Sequence, residues 1–341
     1  MGHPSYAHGP RPLSPRLLLA IELSAVYASI ADVVKLGNLV RECRESVVLW
    51  VMIAHADECK RRRTHLMHAA LQGDTPRVHF LLGIGSTVNT STHPIDGAQT
   101  ALWLAADAGH DVTCDALLKA GANPALASRA APDATLSRHR SREFVTPLER
   151  ATLRGRVLAT RVLLPASPPH IQSNALLASV FLRDTTLVRE FCVTGCHLDK
   201  CDGSGRTPMI IAAGSGQFDV IRLLCASGAR TDIPDDGGIL PLAEAARSGN
   251  VRCLLALLDW GANIDARCGP AGRSALWWAA CAGQILTAGI LVRHGADCEK
   301  PATLGLAPFE VALAVNAPEV ATEIRNALAE RTRLLLTGAY V

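Results

Sequence analysis

The hydrophobic positions of residues 206–266 follow the same pattern twice. The first copy reads RTPMIIAAGSGQFDVIRLLCASGARTDI and the second reads ILPLAEAARSGNVRCLLALLDWGANIDA. Each copy has an apolar run with a pair of alanines, then a glycine, then a second apolar run. In the second run the apolar residues recur at helical spacing, which predicts one buried stripe per helix. They are Val220, Ile221 and Leu224 in the first copy, and Val251, Leu254, Leu255 and Leu258 in the second.

Each copy also carries signals for where its helices begin and end. Thr207 is a good N-cap, and Pro208 fits the first helical position, where no amide donor is missed. Gly216 interrupts the run, and Gly228 stands where a residue in the left-handed conformation would end the second helix. The predicted unit is a helix, a tight turn, a second helix and a loop. It repeats after 33 residues, from Thr207 to Leu240.

A 33-residue period with a T-P-L-H-x-A-type opening and a Gly-Ala ending resembles the ankyrin repeat family. The Gly-Ala pair recurs in one phase, at 121–122, 228–229, 261–262 and 295–296. The resemblance covers residues 64–330. It implies an all-α ankyrin-repeat solenoid of about eight helix-turn-helix units with an N-terminal helical cap.

This template divides the chain into four parts. Residues 1–16 are expected to be a disordered Pro-rich arm, 17–60 an N-terminal helical cap, 61–330 the repeat array and 331–341 a short C-terminal tail. The repeats are expected to open near residues 64, 100, 146, 173, 207, 240, 274 and 307. The eighth unit lacks the central glycine and mixes in glutamates, which is typical of a terminal cap that faces water.

Two intervals between these openings are irregular. The interval from 100 to 146 holds an insertion within 125–145, and insertions in a solenoid go to loops on one face. In the next interval Pro168 and Pro169 take the place of the usual hairpin, so a reduced finger is expected. The fourth unit is also the most degenerate internal one. Residues 146–200 are therefore expected to be the weak point of the array.

Composition limits the partners and the compartment. The net charge of +3 is spread over 341 residues, so no global field favours nucleic acid or a membrane surface. No apolar run reaches the roughly 20 residues needed for a membrane span. Eleven cysteines, most of them inside predicted helices, indicate a reduced, cytoplasmic chain. The chain is expected to be a monomer. The cations at 60–63 fit a solvated hairpin strand, with a nuclear import signal as the alternative.

Signatures of catalysis are absent from the sequence. It contains no G-x-x-x-x-G-K-[ST], G-x-G-x-x-G, H-E-x-x-H, G-x-S-x-G or C-x-x-C motif, so no enzyme activity, cofactor or metal is expected. One alternative is a metal-dependent sensor or enzyme, because Cys192, Cys196, His197 and Cys201 are four soft ligands within ten residues. Repeat phasing gives a simpler account, with Cys192 in a second helix and Cys201 at the head of the next hairpin.

Three tryptophans, Trp103, Trp277 and Trp278, fall at matching points of predicted first helices. Packing between neighbouring repeats is their expected role. A partly exposed tryptophan would instead make a binding anchor.

The ankyrin resemblance also implies where a partner binds. In that family the hairpin tips and the exposed face of each first helix hold another protein. The corresponding tip positions are Arg61, Arg63, Gln99, Ser204, Arg206, Asp236 and Arg273. The positions at the ends of the first helices are Gln72, Asp107, Arg154, Ser215, Arg247 and Cys281.

The function that follows is a non-enzymatic protein–protein interaction module with a protein partner. A second hypothesis is the substrate-recognition subunit of a ubiquitin ligase or a similar complex. That function would require the predicted helices in 17–56 to engage the rest of the complex.

Overall fold

The computed structural model describes residues 64–83, 85–92, 97–129, 144–299, 301–302 and 305–336. The expected arm and N-terminal cap over 1–60 lie outside these residues, as do Arg61 and Arg63. The described part of the chain contains 16 helices, which follow one another as eight pairs. This arrangement confirms the expected all-α solenoid of about eight helix-turn-helix units.

Each pair has a first and a second helix. The first helices are α1 (His65–Gln72), α3 (Ala101–Ala108), α5 (Pro147–Leu153), α7 (Pro169–Phe181), α9 (Pro208–Ser215), α11 (Pro241–Arg247), α13 (Ala275–Cys281) and α15 (Pro308–Ala314). The second helices are α2 (Thr75–Gly83), α4 (Asp111–Lys119), α6 (Val157–Leu163), α8 (Thr185–Val193), α10 (Phe218–Ala226), α12 (Val251–Asp259), α14 (Ile285–Arg293) and α16 (Pro318–Leu336).

The only strands in the described residues are two short ones. β1 (Ser128–Arg129) and β2 (Phe144–Val145) pair antiparallel, with Ser128 opposite Val145 and Arg129 opposite Phe144. They flank residues 130–143, which the structure does not describe. This pairing brings the described ends of the irregular segment expected within 125–145 side by side.

The first helices begin where side chains satisfy their free amides. The hydroxyls of Thr64, Thr100, Thr146, Thr207 and Ser274 each accept from the backbone amide three residues on. Proline fills the first turn of α5, α9 and α11, where its missing N–H costs no helical hydrogen bond. Gly228 follows α10 with φ +88°, which confirms the predicted helix end.

The core runs through both rows of helices. Consecutive first helices pack against each other, and consecutive second helices do the same. Ala212, Ala213, Ala245 and Ala246 lie between the first helices and are completely buried. Small side chains at these points let the helix backbones approach closely, so each repeat adds one thin layer to a continuous core.

The predicted stripe is correct in the first copy and partly wrong in the second. Val220, Ile221 and Leu224 are completely buried. In α12 the most buried side chains include Cys253, Leu254 and Leu257, whereas Val251, Leu255 and Leu258 are only half-buried. A shift of 33 residues from Val220, Ile221 and Leu224 leads to Cys253, Leu254 and Leu257. Helix α12 is apolar on several sides, so apolar letters alone do not identify its buried face.

The fourth repeat differs from the expected one. The N-cap of its first helix is Pro168, five residues before the expected opening at Ser173, and the helix begins at Pro169. Proline is favoured at a helix start, so the two prolines begin this helix. The connection from α6, which ends at Leu163, to α7 is short, which fits the reduced finger expected here. Ser173 is buried inside α7, where its hydroxyl donates to the Pro169 carbonyl. With 13 residues, α7 is the longest first helix in the described residues.

The last helix also continues beyond the expected end of the array. Instead of a tail from residue 331, α16 extends to Leu336. The Arg331 guanidinium donates to the Ala296 carbonyl at 3.2 Å, and Arg293 pairs with Glu323 and Glu330 at 2.8 Å each. These contacts fasten α16 to the preceding unit. None of the helices in the described part of the chain is both long and apolar enough to cross a membrane.

Candidate partner-binding surface

The candidate residues fall in two rows along the first helices. We call these rows together the groove surface. The row ahead of the first helices holds Gln99, Ser204, Arg206, Asp236 and Arg273. The row at the ends of the first helices holds Gln72, Asp107, Arg154, Ser215, Arg247 and Cys281. Because consecutive first helices pack side by side, these positions recur from one unit to the next.

In the second and third units, candidate residues bind each other. Asp107 at the end of α3 accepts from Arg150 Nε at 2.6 Å and from Arg154 Nε at 3.0 Å. The Arg150 side chain is only 3% exposed, and its guanidinium lies 5.1 Å from the Trp103 ring centroid. Sequence reasoning missed Arg150, because nothing in its local pattern predicts a buried cation. Asp107 and Arg154 therefore tie α3 to α5.

Trp103 completes this arrangement. Its ring is 2% exposed, and its Nε1 donates to the Val145 carbonyl at 3.0 Å. Val145 belongs to β2 and directly precedes the Thr146 cap of the next repeat. Trp103 thus has the packing role expected from the sequence.

In the hairpin before α9, Arg206 is held by Asp202. The carboxylate accepts from Arg206 Nη2 at 3.0 Å and from the Ser204 amide at 2.7 Å. Burial acts to raise the pKa of Asp202, but hydrogen bonds from the amides of Ser204 and Arg206 and from the guanidinium hold it below its ordinary value. The guanidinium also lies 5.6 Å from the Phe181 ring centroid. Arg206 is therefore fixed in position before any partner binds.

Arg247 is held within its own helix. Its Nε and Nη2 donate to the two carboxylate oxygens of Glu244 at 3.0 and 2.7 Å. The Arg247 side chain remains 46% exposed while that of Glu244 is 15% exposed. The charge of Arg247 is thus partly neutralised before a partner arrives.

Arg273 has a different environment. Its guanidinium lies 4.2 Å from the Trp277 ring centroid and 5.2 Å from that of Trp278, and it forms no ion pair with a described residue. The two indole rings meet edge to face, with centroids 5.3 Å apart and an angle of 81°. Both rings are half-buried, and neither Nε1 has an acceptor among the described residues.

The remaining candidates have modest roles in the structure. The Gln99 amide donates to Thr92 Oγ1 at 2.8 Å. The Asp236 amide donates to the Ser204 carbonyl at 3.2 Å and so joins two neighbouring hairpins. The Ser215 hydroxyl donates to the Ile211 carbonyl within α9. Gln72 is exposed and Cys281 is half-buried.

The cysteines at 192–201 do not form a ligand set. In the described part of the chain no group of three or more His, Cys, Asp or Glu side chains could hold a metal ion. Burial raises the pKa of Cys192 and Cys201, and it raises the pKa of Cys196 to about 12. A thiol must lose its proton before it binds a metal, and burial makes that loss less favourable here.

The fold and the groove surface define a helical-repeat protein. Family models match two parts of the array: a model of three ankyrin repeats matches residues 176–268, and a single ankyrin repeat matches residues 99–129. These two parts of the chain are ankyrin repeats. No curated protein matches the chain. Ankyrin repeats are in general protein–protein interaction modules, and proteins that carry them are typically non-enzymatic scaffolds. Their presence here implies a protein partner.

Proposed function

We propose that this protein is a non-enzymatic interaction module that binds a protein partner through the groove surface of its fifth to seventh units. The observation that carries the proposal is the series Arg206, Arg247 and Arg273, one arginine per unit. Each guanidinium is held by a carboxylate or by aromatic rings of its own unit. Side chains that are already fixed lose less conformational entropy on binding, which favours affinity.

The second and third units contribute less to this surface. Asp107 pairs with both Arg150 and Arg154 of the next unit, so a partner that used Asp107 or Arg154 would disturb the contact between α3 and α5. The ion pairs of Arg206 and Arg247 lie within their own units. The ubiquitin-ligase hypothesis depends on helices in 17–56, which lie outside the described residues. It stays a hypothesis, as do the cytoplasmic location and the monomeric state.

Affinity purification from an extract of cells that naturally produce the protein tests the proposal. The bait is the full chain, either intact or with Arg206→Ala, Arg247→Ala and Arg273→Ala combined. A matched control combines Arg189→Ala, Arg222→Ala and Arg252→Ala, three exposed arginines on second helices. Quantitative mass spectrometry should find at least one protein that the intact chain and the control retain and the groove variant loses.

Equal recovery by the groove variant and the control would contradict the proposal. Thermal unfolding of the three baits shows whether each is folded. Because surface ion pairs contribute roughly 0–1 kcal/mol each, the groove variant should retain its fold.

A further inference from the structure

The seventh unit has an arginine poised for an ion pair that the described residues do not provide. Arg206 and Arg247 each face a carboxylate within 3.0 Å, whereas Arg273 is stacked on two indole rings without one. Its backbone is fixed, because Arg273 and Cys268 exchange two hydrogen bonds at 2.8 and 3.0 Å. A planar guanidinium stacked on aromatic rings keeps its N–H edge available for a carboxylate.

The two tryptophans beneath Arg273 are less well satisfied than their counterpart in the second unit. Trp103 and Trp277 each follow their N-cap by three residues. Trp103 Nε1 donates to the Val145 carbonyl, but Trp277 Nε1 and Trp278 Nε1 reach no acceptor among the described residues. Both Nε1 atoms are buried, so a partner would contact the exposed parts of these half-buried rings and not the N–H groups.

The following repeat explains part of this difference. Arg150 of the third unit covers the Trp103 ring, and Val311 takes the corresponding place in the eighth unit, four residues after its N-cap. Valine carries no charge, and the cation over Trp277 is Arg273 of the unit's own hairpin. The cluster of Arg273, Trp277 and Trp278 therefore remains half-open, and we call it the Arg–Trp anchor.

The hairpins of the sixth and seventh units contact each other through the backbone atoms of two glycines. Gly238 has φ +76°, and a Cβ atom built on it would lie 2.4 Å from the Gly269 Cα. The Gly269 amide donates to the Gly238 carbonyl at 2.9 Å. The backbone is thus close-packed at these two residues.

Two carboxylates of the preceding unit already have partners. Asp235 Oδ1 accepts from the Ile239 amide at 2.8 Å in the preceding hairpin, and Glu244 is held by Arg247. Asp236 is exposed at the tip of that hairpin. Arg267, in the same hairpin as Arg273, donates to the carbonyls of Gly272 and Pro301 and adds a second exposed cation. This arrangement favours an anionic partner group at the seventh unit.

We propose that the Arg–Trp anchor binds a peptide segment of the partner in which an aspartate or glutamate lies next to an apolar side chain. The carboxylate accepts two hydrogen bonds from the Arg273 guanidinium, and the apolar neighbour packs on the indole rings. Tryptophan and arginine are the residues that most often dominate binding energy at interfaces. This inference rests on the proposed function, since it names the chemistry of the partner that the groove surface takes.

A random 12-residue peptide library displayed on phage and selected on the full chain provides the test. Selected peptides should be enriched in Asp or Glu next to an apolar residue. One such peptide, synthesised with a fluorescent label, is then titrated with the protein, and fluorescence anisotropy gives its Kd. Arg273→Glu should raise the Kd at least about tenfold, because it replaces attraction by repulsion at the centre of the site.

Arg252→Glu is the matched control. Arg252 also stacks on an aromatic ring, 4.3 Å from the Phe218 centroid, but it belongs to the second helix α12. The Kd of the peptide for Arg252→Glu should stay within about twofold of its Kd for the intact chain, because this charge lies outside the proposed peptide site. A peptide with its acid replaced by arginine should regain affinity for Arg273→Glu. If that variant does not fold, Arg273→Gln takes its place, with an expected loss of about fivefold or more.

Two results would overturn the inference. One is a selection that yields no peptides or peptides without acidic residues, and the other is a selected peptide that binds Arg273→Glu as tightly as the intact chain. Neither result decides the proposed function, which the affinity purification judges independently. If the groove variant also retains every protein that the intact chain binds, the proposed function fails as well.

Discussion

At the residue scale, Gly228 is a position where the backbone restricts the choice of residue. It follows α10 with φ +88°, and a Cβ atom added there would meet nothing within 4 Å. The cost of a substitution therefore comes from the backbone conformation alone. We expect Gly228→Val to lower the free energy of unfolding by more than about 1 kcal/mol, because a β-branched residue strongly disfavours positive φ. Urea unfolding followed by circular dichroism measures this change.

Gly228→Asn is the control for that substitution. Asparagine tolerates the left-handed conformation better than valine does, so its loss should be clearly smaller. Equal losses for Val and Asn would mean that the positive φ is not the cause.

Thr160 gives a second prediction at this scale. Its side chain in α6 is completely buried, and its hydroxyl has no hydrogen-bond partner among the described residues. Valine has nearly the same shape without the polar atom. Thr160→Val should therefore raise the free energy of unfolding by about 1 kcal/mol, since the unsatisfied hydroxyl is removed from the core.

Thr287→Val shows the opposite case. Thr287 is equally buried, but its hydroxyl donates to the Ala246 carbonyl of the preceding unit at 3.1 Å. The valine variant loses that bond and leaves the carbonyl without this donor, so it should be less stable than the parent protein. Thermal unfolding of both variants under one condition compares them directly, and a lower melting temperature for Thr160→Val would contradict our account.

Local sequence signals predict the helix caps, but they do not predict contacts between repeats. The caps at Thr207 and Ser274 and the left-handed Gly228 depend on neighbours in the sequence, so one chain suffices to predict them. The ion pair of Asp107 with Arg150 joins residues 43 positions apart. Such a contact depends on how repeats stack. The sequence pattern therefore offered Asp107 and Arg154 as exposed candidates although they bind each other.

At the element scale, this same ion pair holds α3 against α5. Removal of the Asp107 carboxylate would leave the Arg150 side chain, 3% exposed, without that partner. Breaking a buried pair is costly because the remaining charge stays desolvated. We expect Asp107→Ala to lower the free energy of unfolding by about 2 kcal/mol or more, measured by urea unfolding.

Asp115→Ala is the matched control on α4. Asp115 pairs with Lys119 at 2.6 Å, with side chains 45% and 74% exposed. An exposed pair four residues apart on a helix contributes about 0.3–0.5 kcal/mol, so this variant should be nearly as stable as the parent. Comparable losses for the two variants would show that Arg150 does not depend on Asp107.

The boundaries of α7 and α16 show what the repeat template could not predict. The template assigns each unit a fixed length, whereas α7 begins at Pro169 and α16 continues to Leu336. Proline signals a helix start as well as a break, and its meaning depends on the chain that follows it. The end of α16 depends on contacts of Arg331 and Glu330 with the preceding unit, which sequence spacing does not reveal.

At the scale of the whole molecule, polar groups are unevenly distributed through the core. Fifteen polar or charged side chains are buried in the described residues, and eight of them lie between residues 146 and 179. They are Thr146, Glu149, Arg150, Thr152, Thr160, Ser167, Ser173 and Ser179. Buried polar groups contribute less net stability than apolar ones of the same size. The third and fourth units should therefore be the least stable layers of the array.

In a solenoid each repeat contacts only its neighbours, so stability is a sum of local terms and a weak layer can open by itself. We expect unfolding in urea to deviate from a two-state transition, and native-state hydrogen exchange to be fastest within 146–200. The amides of α9 to α12, whose paired alanines and aliphatic stripes are completely buried or nearly so, should exchange more slowly.

Hydrogen exchange with peptide-level mass spectrometry measures both regions in one experiment. Uniform protection along 64–330 would contradict this prediction, because it would require the buried polar layers to be as stable as the apolar ones. If the prediction holds, Thr160→Val should slow exchange in the third unit more than in the sixth, since a local change affects mainly its own layer and the adjacent ones.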